Sequence, residues 1–320
     1  MEKIIDPVSR EAIRSELIEE HFLRHTNKGQ NQLYLMTAHS APNIMREIGR
    51  LREESFRAAG GGTGKALDVD EYDTAEYPFE QLIVWDPENQ AIMAGYRMFD
   101  CSGAPRYSSG RIHTATAHLF DLSPLFYEKY LPHTLELGRS FVQPMYQRGG
   151  VSKKGIFAMD NLWDGLGAMV YLRPEMKYMF GKVTMYPQFN REARNMILSF
   201  MRFFFPDHEN LVTPIKPLVS DEELKSFNEL WQKDDYKGSF TKLNKAVRDR
   251  GEIIPPLINS YMGLSSTMKS FGTALNDEFG EVEETGIMVT IADIYPNLKD
   301  RHVNTYEENN KYTGPDFKLS

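Results

Sequence analysis

Arginines and carboxylates recur in this 320-residue chain at spacings that could build a polar site. Arg52 is followed four residues later by Phe56, on one face of a predicted helix. Asp70-Glu71-Tyr72-Asp73 forms an acidic loop after it, Gly95-Tyr96-Arg97 sits inside a predicted strand, and Glu136-Leu137-Gly138-Arg139 opens another. Singly these read as an exposed helix residue, a solvated loop, a sheet-edge arginine and a surface pair worth little. Their order and spacing together mark a candidate site.

Three other patterns suggest chemistry and fail on inspection. Ala59-Gly60-Gly61-Gly62-Thr63-Gly64-Lys65-Ala66 looks like a phosphate-binding loop. That motif needs Gly first and Ser or Thr after the lysine, and it must lead from a strand into a helix. Here alanines hold both positions and the segment follows a helix, so a flexible linker is expected. His113 and His118 are five apart with no third ligand at a recognisable offset, so no metal site is expected. Cys101 has no neighbouring histidine or helix start to lower its pKa, which disfavours a catalytic thiol.

Composition sets outer limits. The length suggests about two domains of roughly 150 residues. Thirty-seven basic against 45 acidic residues give a net charge of −8, which removes the electrostatic reason to expect a nucleic-acid partner. With 41% hydrophobic residues the chain can bury a full core. One cysteine rules out a disulfide framework. No run approaches the ~20 apolar residues of a membrane span, and Met1 to Asp6 begins no signal-peptide core, so a cytoplasmic location is expected.

The positioning elements follow from periodicity. Ile13, Leu17, Ile18 and Phe22 predict an amphipathic helix over Pro7 to His25. Leu33 to Thr37 reads as a strand, Pro42 to Ala59 as a helix ended by the glycines, and 82–85 with 92–99 as a hairpin. Leu135 to Val142 and Lys182 to Tyr186 read as strands, Ile156 to Leu172 and Ala193 to Phe205 as buried helices. Ser220, with Glu223 three residues on, caps a stretch of charged helices with poor cores reaching Arg250. Gly286 to Ile294 is a final strand and the last twenty residues a loose polar tail. The alternation predicts an α/β fold with a mixed sheet: an N-terminal helical arm (1–44), a core (45–300) with a charged helical insertion (216–253), and the tail (301–320).

The ordered set Arg52/Phe56, Asp70/Asp73, Arg97 and Glu136/Arg139 resembles the acyl-homoserine-lactone synthases and, more closely, the ornithine- and glycine-lipid N-acyltransferases. Both belong to the GNAT acyltransferase superfamily. The segments Glu136 to Pro144, Asp160-Asn161-Leu162-Trp163 and Ile254 to Tyr261 look like the lipid-forming branch, particularly its glycine N-acyltransferases. The likeness spans roughly residues 45 to 295. Two departures stand out. Gly60-Gly61-Gly62 replaces the loop where the signal synthases usually carry a tryptophan, which speaks against homoserine-lactone synthesis. Only Arg148-Gly149-Gly150 remains of the pyrophosphate loop of the acetyl-CoA branch, which suits a phosphopantetheine arm carried on a protein.

The resemblance implies a GNAT-like fold that moves a long-chain, optionally 3-hydroxylated, fatty acyl group from acyl carrier protein to the α-amine of an amino acid, glycine ahead of ornithine. Acyl-CoA is the other donor, and no bound cofactor or metal is implied. Glu136, Arg139 and Arg52 form the implied catalytic set, with Glu136 as base for the amine. Phe56, Asp70, Asp73 and Arg97 shape the substrate site, and amides near Phe141 and Val142 would stabilise the oxyanion. Arg148, Gly149, Gly150, Lys153 and Lys154 would receive the acidic carrier and its pantetheine arm. The apolar run Ile197, Leu198, Phe200, Met201 and Phe203 to Phe205, with Met169, Tyr171 and Leu172, is either core or acyl tunnel. Contact with the inner membrane face would follow from a lipid product. An acetyl-CoA-dependent small-amine acetyltransferase and a non-catalytic carrier- or lipid-binding module are the competing classes.

Overall fold

The computed structural model describes residues 1–147, 150, 152–306 and 310–317. Its strands are β1 (Phe22–His25), β2 (Gln32–Met36), β3 (Glu80–Asp86), β4 (Ala91–Asp100), β5 (Phe120–Leu122), β6 (Thr134–Val142), β7 (Tyr178–Met185), β8 (Val212–Pro214), β9 (Lys269–Asn276) and β10 (Val282–Thr290). The helices are α1 (Arg10–Glu16), α2 (Pro42–Ala59), α3 (Glu71–Thr74), α4 (Ala158–Leu172), α5 (Arg191–Phe204), α6 (Asp221–Lys225), α7 (Tyr236–Arg248), α8 (Pro256–Met262) and α9 (Pro296–His302). The chain divides into two compact units: Met1–Phe99, Leu137–Met176 and the segment from Pro296 onward, then Asp100–Glu136 with Lys177–Tyr295.

In the first unit the strands run in the order β1-β2-β3-β4-β6, with the pairs β1/β2, β2/β3 and β3/β4 antiparallel. β3 and β4 are buried along nearly their whole length, so they read as continuous apolar runs rather than alternating ones. Proline at its first turn starts α2, and Gly60 ends it in the left-handed conformation at φ 98°. Ile44, Ile48, Leu51 and Phe56 form its buried stripe. The second unit holds the antiparallel order β7-β10-β9, the pair β5-β8 and helices α5 to α8.

Three expectations need correction. Pro7 to His25 is not one helix: Leu17 leaves the helical region at ψ 67°, Ile18 is extended, and Phe22–His25 pairs with β2. The pairing of backbone groups in the sheet outweighs helical periodicity there. The supposed arm therefore supplies two strands. Residues 310–317, expected as a loose tail, are tied down by hydrogen bonds to distant parts of the chain, among them Gln32 Nε2 donating to the Gly314 carbonyl, Trp85 Nε1 to that of Pro315, and Tyr312 Oη to that of Leu17. The final strand starts at Val282 and stops at Thr290, and β9 beside it gave no alternating signal.

Candidate functional site

Three arginines and three aspartates meet in the first unit, the arginines coming from three different elements, α2, β4 and β6. Asp70 caps α3 and Asp73 closes the capping box, so the acidic loop is wound into one helical turn. Arg52 on α2 donates to Asp73 Oδ2 at 3.0 Å and to Gln81 Oε1 at 2.6 Å, and Gln81 Nε2 returns to Asp73 Oδ1 at 3.0 Å. Arg97 on β4 donates from Nη1 to Asp70 (2.7 and 2.8 Å) and to Asp73 (3.2 Å), and its guanidinium lies 5.0 Å from the Phe79 ring centre. Arg139 Nε lies 2.8 Å from Asp68 Oδ2. Gly49 on α2 makes room for that aspartate: a Cβ there would meet Val69 Cγ2 at 2.6 Å, and the Gly49 carbonyl accepts from the Asp68 amide.

Burial and charge compete throughout the cluster. Desolvation raises the Asp73 carboxyl, but the guanidiniums of Arg52 and Arg97 outweigh it and hold it below the ordinary carboxylate range. Asp73 and Asp70 likewise lift Arg97 above its ordinary value despite burial. For Arg52 and for Asp68, burial wins: the first is lowered and the second raised. Arg52 and Arg97 spend their forks inside the protein, so they hold the acidic loop. Asp68 and Gln81 were missed in the sequence. The only available signal for Asp68 was its place two residues before Asp70, and nothing marked Gln81 as the link between Arg52 and Asp73.

β6 carries the remaining predicted groups and runs from the second unit into the first. Arg139 has a φ of 49°, a left-handed residue that breaks the strand's regular alternation. Beyond it the Phe141 ring lies over Gly95, where a Cβ would come within 2.7 Å of Cε1, which explains glycine two residues before Arg97. The Val142 carbonyl accepts from Gln147 Nε2 at 2.6 Å and Ser55 Oγ at 3.3 Å. Before the break, in the second unit, Glu136 is 1% exposed. Its Oε1 accepts from the Thr116 amide at 2.8 Å, while nothing among the described residues donates to Oε2. A carboxylate held at one oxygen and unpaired at the other can take a proton from an amine brought against it.

The loop after β6 is only partly described. Arg148 and Gly149 lie outside the described residues. The Gly150 amide donates to the Gln147 carbonyl and the Ser152 amide to that of Met145, so these two donors are used within the loop. Lys153 is exposed. Lys154 departs from the expected basic patch: Asp86 at 2.7 Å and Glu88 at 2.9 Å compensate its charge.

The patterns set aside in the sequence now have structural explanations. The Gly60–Gly64 loop does cradle an anion, but an internal one. Glu53, fully buried, accepts from the Thr63 amide (3.0 Å), the Thr63 hydroxyl (2.8 Å) and the Gly64 amide (2.7 Å). Burial together with the Glu136 carboxylate pushes the Cys101 thiol well up, which makes it a poor nucleophile at neutral pH. His113 packs against Tyr107, and His118 faces Glu278 at 3.4 Å. No metal-holding cluster of His, Cys, Asp and Glu, and no helix long and apolar enough to cross a membrane, occurs among the described residues.

Phe200 of α5 and Phe205 after it are core, while Phe203 and Phe204 are half-buried. Phe200 stacks edge-on with Trp231, whose Nε1 donates to Ser199, and meets Tyr236 and Phe240 of α7. The charged segment thus has an aromatic seam that its helical periodicity did not show. A cavity of about 560 Å³ opens beside α5, between Leu198, Arg202, Asp207, Phe271 and the Thr273–Thr285 hydroxyl pair. Of the predicted apolar run, only Leu198 lines it. In the first unit Tyr171 and Leu172 are nearly half exposed and Met169 is buried.

Residues 51–154, which hold the arginine–aspartate cluster and Glu136, match the family model of an acetyltransferase (GNAT) domain. A glycine N(alpha)-acyltransferase of Bacteroides thetaiotaomicron is 52% identical over 318 residues, covering 96% of this chain and 91% of the relative. One of Phocaeicola vulgatus is 49% identical over 306 residues, covering 96% and 94%. The chain belongs to this family of N-acyltransferases. Among solved structures, the CoA-dependent acyl-homoserine lactone synthase BjaI is similar at 12% identity and a TM-score of 0.36, over 84% of this chain and 86% of that one. The synthase LasI is similar at 15% and 0.32, over 48% and 73%.

Proposed function

We propose that this N-acyltransferase moves a long-chain, optionally 3-hydroxylated, fatty acyl group from acyl carrier protein to the α-amine of glycine. The product is an N-acylglycine, a precursor of an amino-acid lipid. The name shared by the two close relatives supports glycine over ornithine. The observation that carries the chemistry is Glu136, buried, anchored through Oε1 and unpaired at Oε2.

In this mechanism the glycine ammonium first loses a proton to solvent water, and the amine nitrogen attacks the thioester carbonyl. Glu136 Oε2 takes the second proton as the C–N bond forms. Amides of β6 near Phe141 and Val142 meet the oxyanion. Collapse of the tetrahedral adduct breaks the C–S bond, and the proton held by Glu136 passes to the departing pantetheine thiolate. The acyl group passes directly to the amine, in keeping with a Cys101 thiol that burial keeps protonated. Arg139, tied to Asp68, and Arg52, tied to Asp73, position the acidic loop that borders the substrate with Phe56, Asp70 and Arg97.

With Lys154 compensated, docking of the acidic carrier rests on Arg148 and Lys153, with Gly149 and Gly150 admitting the arm. The enzyme works in the cytoplasm and releases its product to the inner membrane face. The test supplies purified protein with long-chain acyl-carrier protein or acyl-CoA and a panel of amino acids. Carrier thiol release that requires glycine, with N-acylglycine identified by mass, supports the reading. No release above background, or release only with another acceptor, contradicts it.

A further inference from the structure

One peptide group in the second unit stands between a buried carboxylate and a mostly buried ammonium. The Thr116 N–H donates to Glu136 Oε1 at 2.8 Å, and the Ala115 carbonyl, the other half of the same peptide, accepts from Lys182 Nζ at 2.9 Å. Lys182 on β7 is paired in turn with Glu284 on β10 at 2.9 Å. Glu284 lies opposite Thr184, two residues along β7 from Lys182, so the two side chains share a face of the sheet. Their side chains are 12% and 4% exposed. Tyr186, pushed up to about 12 by burial and by Glu284, is neutral at working pH and adds no charge.

A cation at a peptide's carbonyl and an anion at its N–H polarise it in the same sense, so each strengthens the other's hydrogen bond in a low-dielectric interior. The chain from Glu284 through Lys182 and the 115–116 peptide therefore tightens the bond that fixes one oxygen of Glu136. We infer that Lys182, backed by Glu284, is a positioning residue for acyl transfer: through that peptide it locks Glu136 Oε1 and leaves Oε2 aimed at the acceptor amine. This rests on the reading of Glu136 as the base. Lys182 touches no reacting atom, so its loss acts on turnover rather than on binding. A misplacement of the base by an ångström costs about 10- to 100-fold in rate.

The test is a mutant cycle on kcat with glycine and long-chain acyl-carrier protein. Lys182→Met alone would strand Glu284 as a buried, unpaired charge, so both are replaced together as Lys182→Met/Glu284→Gln. The expected result is a kcat lowered about 10- to 100-fold with KM for glycine unchanged, and near-complete recovery in Lys182→Arg. In a Glu136→Gln background the same pair of substitutions causes no further loss, because its effect passes through Glu136. If that double variant does not fold, Lys182→Gln/Glu284→Gln keeps a donor for Ala115 with neither charge left unpaired, and a lowered kcat is expected there too. Wild-type kcat in these variants, or an equal loss in the Glu136→Gln background, overturns the inference. Wild-type kcat in Glu136→Gln itself overturns the base assignment and the inference with it. A crippled Glu136→Gln beside unimpaired Lys182 variants overturns the inference alone.

Discussion

Arg52 reaches Asp73 at 3.0 Å, and neither side chain is exposed to solvent. Asp73 also accepts from Arg97, so one carboxylate answers two buried guanidiniums. Replacing it with Asn keeps the shape and removes the anion. Breaking a buried pair in this way costs about 3–5 kcal/mol. Asp73→Asn should lower the urea midpoint accordingly, and an unchanged midpoint would show that the cluster tolerates the uncompensated arginines.

The same carboxyl sets a pH window. Because the arginines hold its folded pKa below its ordinary value, the unfolded chain takes up the proton first as the solution is acidified. Its contribution to stability is therefore complete above about pH 4 and is lost as pH falls toward the folded value. Chemical-denaturation stabilities of wild type and Asp73→Asn should converge below about pH 4. A gap that stays constant to pH 3 would contradict the assignment.

What could be read from the sequence was what local rules govern. α2 runs from Pro42 to Ala59 as its proline start, apolar stripe and glycine stop predict, and the β3–β4 hairpin lies where its turn residues indicate. The spacing of Arg52, Asp70, Asp73 and Arg97 pointed to residues that do meet. Long-range features left no local trace. The pairing of β1 with β2 overrode a helical pattern, the 310–317 segment found carbonyl acceptors far back in the chain, and Gln81 entered the cluster without any periodic or charge signal. Nothing in residue types foretold that Glu53 would fill the glycine loop.

Gly95 is set by the Phe141 ring. A Cβ would lie 2.7 Å from Phe141 Cε1 and 3.0 Å from the Leu82 carbonyl oxygen, and backbone cannot yield as a flexible side chain can. Gly95→Val should cost about 1–3 kcal/mol by overpacking and lower activity by displacing β6. Thermal unfolding checks it, and an unchanged Tm would mean that the strands separate freely.

Glu53 answers the question of nucleotide binding. Burial raises its carboxyl, but Arg57 and the Thr63 and Gly64 donors more than reverse that. With the cradle filled by the protein's own anion, millimolar magnesium-ATP should leave the Tm unchanged, whereas a ligand at 100 times its Kd would add about 2.7 kcal/mol. Glu53→Ala should cost about 1–3 kcal/mol per donor left unsatisfied, read from denaturant midpoints. A thermal shift with ATP would contradict this account of the loop.

The central claim is that Glu136 takes the proton of the acceptor amine. The direct measurement is glycine-dependent thiol release by Glu136→Gln, with circular dichroism and Tm matched to wild type. The account predicts turnover lowered by about 10²-fold or more, as expected for loss of a general base. Wild-type turnover in a folded Glu136→Gln would contradict it and remove Glu136 from the mechanism.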